Sequence, residues 1–470
     1  MKSMKHQELL HLSLVQARDE IEHLTVTPSE LLDAYLERLH EKEPAYNAYV
    51  TVHEEAARQA AEGLTALQAA GLPLGPLHGI PIALKDNIDL KGFRSTASSK
   101  IRSNHVASRD ATVAARLKSA GAVIIGHTNM HEFAWGGTTD SPHFGASHNP
   151  WDLERYCAGS SGGSGAAVAG GTALGALGTD TGGSVRLPAA VNGIVGMRPT
   201  IGRVPNTGII PCGWTMDTCG PMTRSVRDNA VMLGVIAGHD FKDPGCSEKC
   251  TCDYTADLEL GVNHLRIGMI PQLMHRVSQP DVDAGVEEAA NVFRSLGAEI
   301  VACRFDYLDD AMTAWLILNS AEGSAYHQRD IRARPEDYGG DVRTLLAAGE
   351  FLPATFYLQA MRLRQCIIEE FRAKFREVDA FLFPTIPCTA LKLSELYGAS
   401  KSIRDMDAFF TCIASLTGLP ALNIPCGLDH EGLPIGMQLL GRPFDEATLY
   451  RIGAAFETAF NLYEQLPAFH

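Results

Sequence analysis

The chain has 470 residues, and its 40 lysines and arginines against 55 aspartates and glutamates give a net charge of −15. Direct binding of nucleic acid is therefore not expected, because phosphate recognition needs basic patches and the chain has no run of lysine or arginine. Hydrophobic residues form 45% and charged residues 20% of the chain, which is typical of a large globular protein and excludes disordered or collagen-like chains.

The N-terminal part of the chain predicts a helix, a strand and a second helix. The sequence TPSE at residues 27–30 has the pattern of a capped helix start, and apolar residues follow at helical spacing through Leu39. Residues 48–52 predict a strand, and an alanine-rich helix follows through Ala70. A Pro/Gly-rich stretch at residues 71–81 then ends this region.

From residue 79 to residue 223 glycine is unusually dense, and the rest of the chain alternates strand and helix patterns. Residues 241–261 are polar and turn-rich, so they predict a surface insertion. The other predicted strands lie at 122–126, 265–270, 299–303, 380–383, 421–424 and 435–440, and the other predicted helices at 112–119, 281–296 and 356–377. Because no repeat or flexible linker divides the chain, we expect one α/β domain over residues 1–470.

The sequence also bears on where the protein acts. Charged residues interrupt every apolar stretch among the first thirty residues, so they do not predict a secretory signal. No window offers the roughly 20 apolar residues that a membrane-spanning helix needs. Eleven cysteines spread over the chain fit reduced thiols better than a disulfide framework. We therefore expect a cytoplasmic protein without a membrane partner.

Two glycine-rich turns carry serines that are candidates for chemistry. They are GSSGGSG at residues 159–165 and GTDTGGSVR at residues 178–186. Because glycine lacks a Cβ, such a turn can direct several backbone N–H groups into one concavity, where they stabilise a developing oxyanion. Gly/Ser-rich runs are also typical of plain loops, so the two turns alone do not define a site.

Three other motifs share part of this pattern. A phosphate-binding P-loop needs Gly-Lys-Ser/Thr, which neither turn contains, and a dinucleotide fingerprint starting at Gly163 would need glycine or alanine in place of Val168. The nucleophile-elbow pattern G-x-S-x-G fits residues 159–163, with Ser161 as the nucleophile. An elbow follows an apolar strand, and residues 153–157 do not predict one. The elbow is therefore the lesser alternative.

A cysteine cluster in the predicted insertion is a candidate metal site. Cys246, Cys250 and Cys252 have the spacing C-x3-C-x-C, which lacks a second cysteine pair. A fourth ligand could come only from His239 or His264. We expect no metal there, and the spacing assigns no role to the cluster.

Three stretches, in this order, resemble the defining motifs of the amidase signature family. They are GIPIALKDN at residues 79–87 and the two glycine-rich turns, and the spacing between them agrees with the family. The resemblance covers about residues 25–460. It implies a single large domain in which a central mixed β-sheet is covered by helices on both faces.

The resemblance implies a Ser–cis-Ser–Lys triad, with Ser184 as the nucleophile, Ser160 as the bridging serine on a cis peptide bond and Lys85 as the base. Lysine accepts a proton only when neutral, so its pKa must fall from about 10.4 to about 7 or 8, which burial away from carboxylates can achieve. Lys85 ends an apolar run, and the adjacent Asp86 is expected on the opposite face of the strand. Taken alone, Lys85 would better fit a surface lysine at a strand end, and only the two serine motifs together favour the base.

The resemblance also implies residues around the triad. The implied oxyanion hole consists of four backbone N–H groups, those of Thr181, Gly182, Gly183 and Ser184. Asp180 and Arg186 are expected to form a buried pair that holds the turn. The expected substrate contacts are Met130, Phe133, Trp135, Phe144 and Trp214, although the same residues are equally typical of core packing.

The implied function is an amidase: an acyl-enzyme forms at Ser184, ammonia or an amine leaves a small-molecule amide, and neither metal nor organic cofactor takes part. The alternative is the glutaminase A subunit of a glutamyl-tRNA amidotransferase, which shares the fold and supplies ammonia to a partner protein. Two positions depart from the glutaminase members: Arg343 is followed by Thr344 rather than a second basic residue, and Thr218 stands where glutamine is common. The substrate and the cleavage of esters stay open, and a homodimer is compatible with these expectations.

Overall fold

A computed structural model describes residues 6–397 and 406–467, and eleven of its strands form one mixed sheet. In chain order the strands are β1 (Tyr49–Val52), β2 (Pro81–Lys85), β3 (Val123–Thr128), β4 (Asp140–Ser141), β5 (Gly145–Ala146), β6 (His148–Asn149), β7 (Asp152–Tyr156), β8 (Gly175–Asp180), β9 (Val195–Arg198), β10 (Thr218–Thr223), β11 (Arg266–Met269), β12 (Glu299–Ala302), β13 (Ala380–Pro384), β14 (Ala421–Leu428) and β15 (Pro434–Gly441). The order across the large sheet is β1-β3-β2-β8-β10-β9-β14-β15-β13-β11-β12, while β4 pairs with β5 and β6 with β7.

The sheet is parallel in two places and antiparallel elsewhere. Strand β2 runs parallel to both β3 and β8, and β11 runs parallel to both β12 and β13. The remaining neighbours pair antiparallel. Strands β2, β3, β8, β9, β10 and β13 are buried along their whole length, as expected of strands covered on both faces.

Helices cover both faces of the sheet. Fourteen α-helices occur in the described part of the chain: His6–His11, Leu14–Glu22, Pro28–Tyr46, Glu54–Ala69, Thr112–Ser119, Gly162–Ala169, Arg186–Val191, Val226–Ile236, Pro280–Ser295, Ala311–Ala333, Gly340–Gly349, Ala354–Lys374, Thr411–Thr417 and Glu446–Ala459. None of these helices combines the length and the apolar character needed to cross a membrane. The mixed sheet between two helical layers confirms the predicted fold class.

Alternation along β2 determines which side of the sheet Lys85 faces. Ile82 and Leu84 belong to the core cluster on one face, and Ala83 belongs to the cluster on the other face, with the helix Gly162–Ala169. Because successive strand residues point to opposite faces, Lys85 shares the face of Ala83. This places the lysine beside the first glycine-rich turn, which leads into that helix.

The structure reproduces the predicted start of the first long helix. Thr27 is its N-cap: the Thr27 hydroxyl accepts the Glu30 N–H at 3.1 Å, and the Glu30 carboxylate accepts the Thr27 N–H at 2.9 Å. Residues 241–261 form neither an α-helix nor a strand, and contain only the 3-10 turn Leu258–Leu260. The buried ring of Tyr254 nevertheless anchors this segment against Tyr450.

Several elements were missing from the prediction. The sequence patterns did not predict the helices Ala311–Ala333 and Gly340–Gly349, whose outer faces carry exposed apolar residues that blur the helical pattern. They also did not predict the strand β7, which forms a two-stranded hairpin with β6 outside the large sheet. The first of these elements contributes directly to the candidate site.

Candidate active site

Lys85 is the last residue of β2, and its side chain is completely buried. Its Nζ donates hydrogen bonds to the Ser160 Oγ at 2.7 Å and to the Thr179 Oγ1 at 2.9 Å. Asn87 donates to the same Thr179 hydroxyl at 3.1 Å, which holds that acceptor in place. The amine also donates to the Thr179 carbonyl at 3.5 Å, so its partners are two hydroxyl groups and a carbonyl, and none is a carboxylate.

Burial lowers the pKa of Lys85 from 10.5 to about 7, although neighbouring ionisable groups, Cys212 and Asp180 first among them, oppose the shift. The carboxylate of Asp86 lies elsewhere, where it accepts the N–H groups of Thr96 at 3.2 Å and Ser98 at 3.0 Å. This separation is what the alternation of strand side chains predicts. Near pH 7 a large fraction of Lys85 is thus neutral.

Ser160 lies in the first glycine-rich turn, and the peptide bond between Gly159 and Ser160 is cis. Its carbonyl accepts the backbone N–H of His131 at 3.0 Å. A Cβ on Gly159 would lie 2.8 Å from the backbone carbon of Gly137, closer than real Cβ contacts allow. The turn therefore requires glycine before Ser160.

Ser184 lies between β8 and the helix Arg186–Val191, on the wall of a cavity of about 540 Å³. It is 8% exposed, whereas Ser160 and Ser161 are fully buried. The Ser161 N–H donates to the Ser184 carbonyl at 3.3 Å, which joins the two glycine-rich turns. In the described residues no hydrogen bond joins the hydroxyl groups of Ser160 and Ser184.

Ser161, the serine of the elbow alternative, is placed differently. It precedes the helix Gly162–Ala169, and its hydroxyl donates to the Thr179 carbonyl at 3.3 Å. It does not line the cavity. The strand β7 before it belongs to a separate hairpin, so this geometry does not fit a nucleophile elbow at the edge of the central sheet.

A buried ionic cluster holds the second glycine-rich turn. Arg186 donates two hydrogen bonds of 2.9 Å to the Asp180 carboxylate, and Arg198 donates a third at 3.0 Å. Burial alone would raise the pKa of Asp180, but the charges of Arg186 and Arg198 outweigh it and hold that pKa well below its usual range. Burial lowers the pKa of Arg198 to about 10. The cluster is thus a charged structural centre beneath the turn that carries Ser184.

This cluster changes the expected oxyanion hole. The Gly183 N–H donates to the Asp180 carboxylate at 2.9 Å, so this N–H already has an acceptor within the turn. The N–H groups of Thr181, Gly182 and Ser184 have no hydrogen-bond acceptor in the described part of the chain. Three of the four predicted donors are therefore available at the cavity in this conformation, and Gly183 is not.

Two residues from distant helices hold the carbonyl side of the same turn. The Trp315 Nε1–H donates to the Thr181 carbonyl at 2.9 Å, and the Thr411 hydroxyl donates to the Gly182 carbonyl at 2.5 Å. A Cβ on Gly182 would lie 2.3 Å from the Trp315 ring, so this approach needs glycine. The C=O of one residue and the N–H of the next belong to one peptide unit and point in opposite directions. The Trp315 bond therefore orients the Gly182 N–H, and the Thr411 bond orients the Gly183 N–H, which donates to Asp180.

The hydroxyl of Thr181 is held by Asp217, which sequence reasoning had not linked to the site. Asp217 accepts the Thr181 hydroxyl at 2.5 Å, the Cys212 N–H at 2.9 Å and the Gly213 N–H at 3.0 Å. Burial raises the pKa of Asp217 to about 6. No short-range sequence pattern connects Asp217, Trp315 or Thr411 with Ser184, so the tertiary structure was needed to find them.

Of the expected substrate contacts, Trp135 lines the Ser184 cavity and four residues do not. Met130 and Phe133 are buried in a core cluster beneath Trp135. Phe144 lies in the turn between β4 and β5, where its carbonyl accepts the Asn47 side chain at 2.8 Å. Trp214 is 54% exposed and lines a second cavity of about 460 Å³.

The cysteine cluster has no ligand-like geometry. In residues 6–397 and 406–467 no group of three or more His, Cys, Asp or Glu side chains could hold a metal ion. The Cys246 thiol donates to the carbonyls of Gly202 and Gly238, both at 3.4 Å, while Cys250 and Cys252 are exposed.

Comparisons with known proteins identify the family of this chain. The Amidase family model matches residues 30–450. The A subunit of the glutamyl-tRNA(Gln) amidotransferase of Myxococcus xanthus is 38% identical, over 97% of this chain and 99% of its own. The chain therefore belongs to the amidase family.

Solved structures show the same relationship. One structure, of an "unexpected vestigial protein complex" that reveals the origins of an s-triazine catabolic enzyme, has a TM-score of 0.90 and 32% identity over 95% of this chain and 98% of that chain. The A subunit of the glutamyl-tRNA(Gln) amidotransferase of Thermotoga maritima has a TM-score of 0.79 and 31% identity over 97% of this chain and 95% of its own.

Proposed function

We propose that this chain hydrolyses the C–N bond of linear carboxylic amides through a Ser–cis-Ser–Lys triad of Ser184, Ser160 and Lys85. The observation that carries the proposal is the completely buried Lys85 amine, which lies 2.7 Å from the Ser160 hydroxyl and has no carboxylate partner. A neutral lysine in this position can act as a general base near pH 7.

In the proposed reaction each residue of the site has its own role. The Ser184 Oγ attacks the amide carbonyl carbon, its proton passes to Ser160, and the Ser160 proton passes to neutral Lys85. The N–H groups of Thr181, Gly182 and Ser184 stabilise the oxyanion. Lys85 returns a proton through Ser160 to the leaving nitrogen, so ammonia or an amine departs. Water then cleaves the acyl-enzyme by the same route, which gives a carboxylic acid and regenerates Ser184.

Substitution of the serines tests the assignment. Ser184→Ala should lower kcat for a simple amide by about a thousandfold or more, because the covalent intermediate cannot form. A fluorophosphonate should label Ser184, and peptide mass spectrometry would locate the adduct. Ser161→Ala is the matched control and should keep substantial activity. Labelling of Ser161, or full activity of Ser184→Ala, would refute the proposal.

A second candidate function is that of the glutaminase A subunit of an amidotransferase, which the 38% identity to the Myxococcus xanthus protein over nearly the whole chain favours. Ammonia release from glutamine and from simple amides by the purified chain distinguishes the two. A free amidase should hydrolyse the simple amides without a partner. Activity on glutamine alone, appearing only with amidotransferase partner proteins, would favour the second candidate.

We also propose a cytoplasmic location for the protein. All eleven cysteines are free, and burial raises the pKa of several of their thiols, Cys157 and Cys388 among them. Buried reduced thiols fit a reducing compartment better than an oxidising one. Fractionation of cells that express the tagged chain tests this, and recovery from a secreted fraction would contradict it.

A further inference from the structure

The loop that follows β3, residues 131–139, forms the part of the Ser184 cavity wall next to the first glycine-rich turn. Both His131 and Thr138 line the cavity. A Cβ on Gly159 would lie 2.9 Å from the backbone nitrogen of Thr138, so the loop packs directly against the residue before Ser160. The His131 N–H also donates to the Ser160 carbonyl at 3.0 Å. Thr138 therefore lies both on the cavity wall and beside the turn that carries Ser160.

A chain of two hydrogen bonds orients the Thr138 hydroxyl. The His131 Nε2 lies 3.0 Å from the Asp341 Oδ2, and the His131 Nδ1 lies 3.2 Å from the Thr138 Oγ1. Burial alone would raise the pKa of Asp341, but the hydrogen bond and charge of His131 lower it overall, so the carboxylate is ionised at neutral pH. Because an ionised carboxylate only accepts hydrogen bonds, the ring proton belongs on Nε2.

The neutral ring then offers the lone pair of its Nδ1, and the Thr138 hydroxyl donates to it. No other hydrogen bond involves this hydroxyl in residues 6–397 and 406–467. The Thr138 Oγ1 thus keeps its lone pairs and is a hydrogen-bond acceptor on the cavity wall.

The surrounding structure fixes the histidine ring and the helix that carries Asp341. A Cβ on Gly136 would lie 2.2 Å from the His131 Nε2, so the ring packs closely against the loop's own backbone. Glu132, the next residue, accepts the Gly339 N–H at 2.7 Å, immediately before the helix Gly340–Gly349. Adjacent residues of the loop therefore hold the start of this helix at two points.

Backbone strain marks the same loop. Phe133, Ala134 and Thr139 have φ angles of 51°, 64° and 51°, in the left-handed region that disfavours residues with a side chain. Such conformations persist only where surrounding contacts impose them, and they cluster at functional sites. The loop thus has the character of a segment that is held for a purpose at the cavity.

An acceptor at this position meets a need of the proposed reaction. The substrate amide nitrogen must approach Ser160, which returns a proton to it, and an amide N–H that leaves water needs a new acceptor. The second glycine-rich turn does not supply one from Thr181 or Gly182, because their carbonyls accept Trp315 and Thr411. Thr138, beside the Ser160 turn, can.

We propose, on the basis of the amidase function proposed above, that the Thr138 Oγ1 accepts an N–H of the substrate amide, with His131 and Asp341 as positioning residues that orient it. An ester of the same acyl group has no N–H and would instead bring its own lone pairs toward those of Thr138. Thr138 is thus a specificity-determining residue that favours amides bearing an N–H over the corresponding esters.

A matched amide and ester test this inference. The probes are 3-phenylpropanamide and methyl 3-phenylpropanoate, which share the acyl group. The ratio of kcat/KM for the amide to that for the ester should fall about fivefold in Thr138→Val, which keeps the shape but removes the hydroxyl. Thr138→Ser retains the hydroxyl and should retain most of the ratio. An unchanged ratio in Thr138→Val would overturn the inference.

Thr344→Val is the matched control, because it makes the same change on an exposed threonine whose hydroxyl bonds within its own helix. Its ratio should equal that of the parent. If Thr138→Val does not fold, Thr138→Ala carries the same expectation and the same contrary outcome.

Asp341→Asn tests the positioning part of the inference. The asparagine amide can donate to the His131 Nε2, which allows the ring proton on Nδ1 and turns the Thr138 hydroxyl from an acceptor into a donor toward the cavity. We expect the ratio to fall severalfold, and to stay constant in Glu336→Gln, which makes the same charge change on an exposed side chain. Equal ratios in Asp341→Asn and the parent would reject the positioning role.

Failure of the amidase function itself is distinguishable. If neither turnover nor fluorophosphonate labelling of Ser184 occurs in the parent, the proposed function fails. If the parent turns over both probes and Thr138→Val keeps the parent ratio, the amidase function stands and the inference about Thr138 alone is rejected.

Discussion

At the scale of single residues, the proposed chemistry depends on the burial of Lys85. The same desolvation that makes its ammonium form unfavourable leaves a neutral amine at the pH where a serine needs a base. The amine stays close to its partner because the Ser160 hydroxyl and Thr179 both accept its hydrogen bonds. Function and stability therefore oppose each other at this residue.

The pH dependence of turnover follows from this lysine. We expect kcat/KM for a neutral amide to rise with pH through an apparent pKa of about 7 and then level off, because only neutral Lys85 accepts a proton. Initial rates between pH 5 and pH 9 would measure it. A kcat/KM that falls as the pH rises through 7 would contradict the assignment to Lys85. So would a rise in kcat/KM near pH 6 that disappears in the variant Asp217→Asn.

The stability of a Lys85→Met variant tests the same burial. The folded state lowers the pKa from 10.5 to about 7, so burying this lysine costs up to about 5 kcal/mol at pH 7 and below, a cost that vanishes as pH rises toward 10.5. After subtraction of the lost hydrogen bonds, we expect the variant to be more stable than the parent by about 2 kcal/mol at pH 7, and inactive.

Urea unfolding at pH 7 and pH 10 measures this difference, which should shrink at the higher pH. Lys91→Met, at an exposed lysine six positions along the chain, is the matched control and should change stability little. A Lys85→Met variant that is less stable than the parent at pH 7 would show that burial of the lysine does not destabilise the folded state.

At the scale of elements, the turn that carries Ser184 depends on helices that lie far away in the sequence. Asp180 and its two arginines support the turn from below, and Trp315 and Thr411 hold its carbonyl groups from the side. The turn itself contains glycines that cannot be replaced without clashes. The orientation of the N–H groups is therefore a property of packed elements rather than of the turn.

Thr411 offers a clean test of this support. Thr411→Val keeps the shape of the side chain but removes the hydroxyl that holds the Gly182 carbonyl. The Gly182–Gly183 peptide lies between the Gly182 and Ser184 donors, so its loss of support should disturb both, and kcat should fall by about tenfold with little change in KM. Thr411→Ser retains the hydroxyl and should retain most of kcat. Steady-state kinetics on a simple amide measures both. Equal losses in the two variants would mean that packing of the methyl group matters, and not the hydrogen bond.

At the scale of the whole molecule, the N-terminal helices are attached to the sheet domain by polar contacts. Asp228, near the start of the helix Val226–Ile236, accepts the N–H groups of Leu14 and Val15, both at 3.1 Å. Arg224 donates to the Leu10 carbonyl at 2.9 Å. A residue more than 200 positions away thus caps the helix Leu14–Glu22 from outside, in addition to its own Ser13.

Removal of this external cap should loosen the N-terminal segment. Asp228→Ala leaves two backbone donors without an acceptor, so we expect a loss of about 2 kcal/mol and faster hydrogen exchange in residues 14–22. Exchange mass spectrometry measures the local effect. Asp19→Ala, on the docked helix itself, is the control and should leave exchange nearly unchanged. Unaltered protection in Asp228→Ala would show that apolar packing alone holds the segment.

The sequence by itself determined the local elements and the candidates for chemistry. The capping box at Thr27 and Glu30 acts within one helical turn, the apolar run before Lys85 needs burial wherever it lies, and the glycines around Ser160 and Ser184 reflect backbone demands of their own turns. Such signals are short-range, so they can be read without the fold. They predicted strands and helices of one α/β domain, while the resemblance of three motifs to the amidase signature family implied the mixed sheet and the triad.

Only the tertiary structure decided which of these groups meet and which of them stay available. The Lys85–Ser160 contact joins residues 75 positions apart, and the Thr411–Gly182 contact joins residues 229 positions apart. The fold also pairs the Gly183 N–H with the Asp180 carboxylate. Of the expected aromatic contacts, it places Trp135 on the cavity wall and the others elsewhere. These outcomes depend on which distant surfaces pack together, and that packing is settled by the whole core rather than by any local pattern.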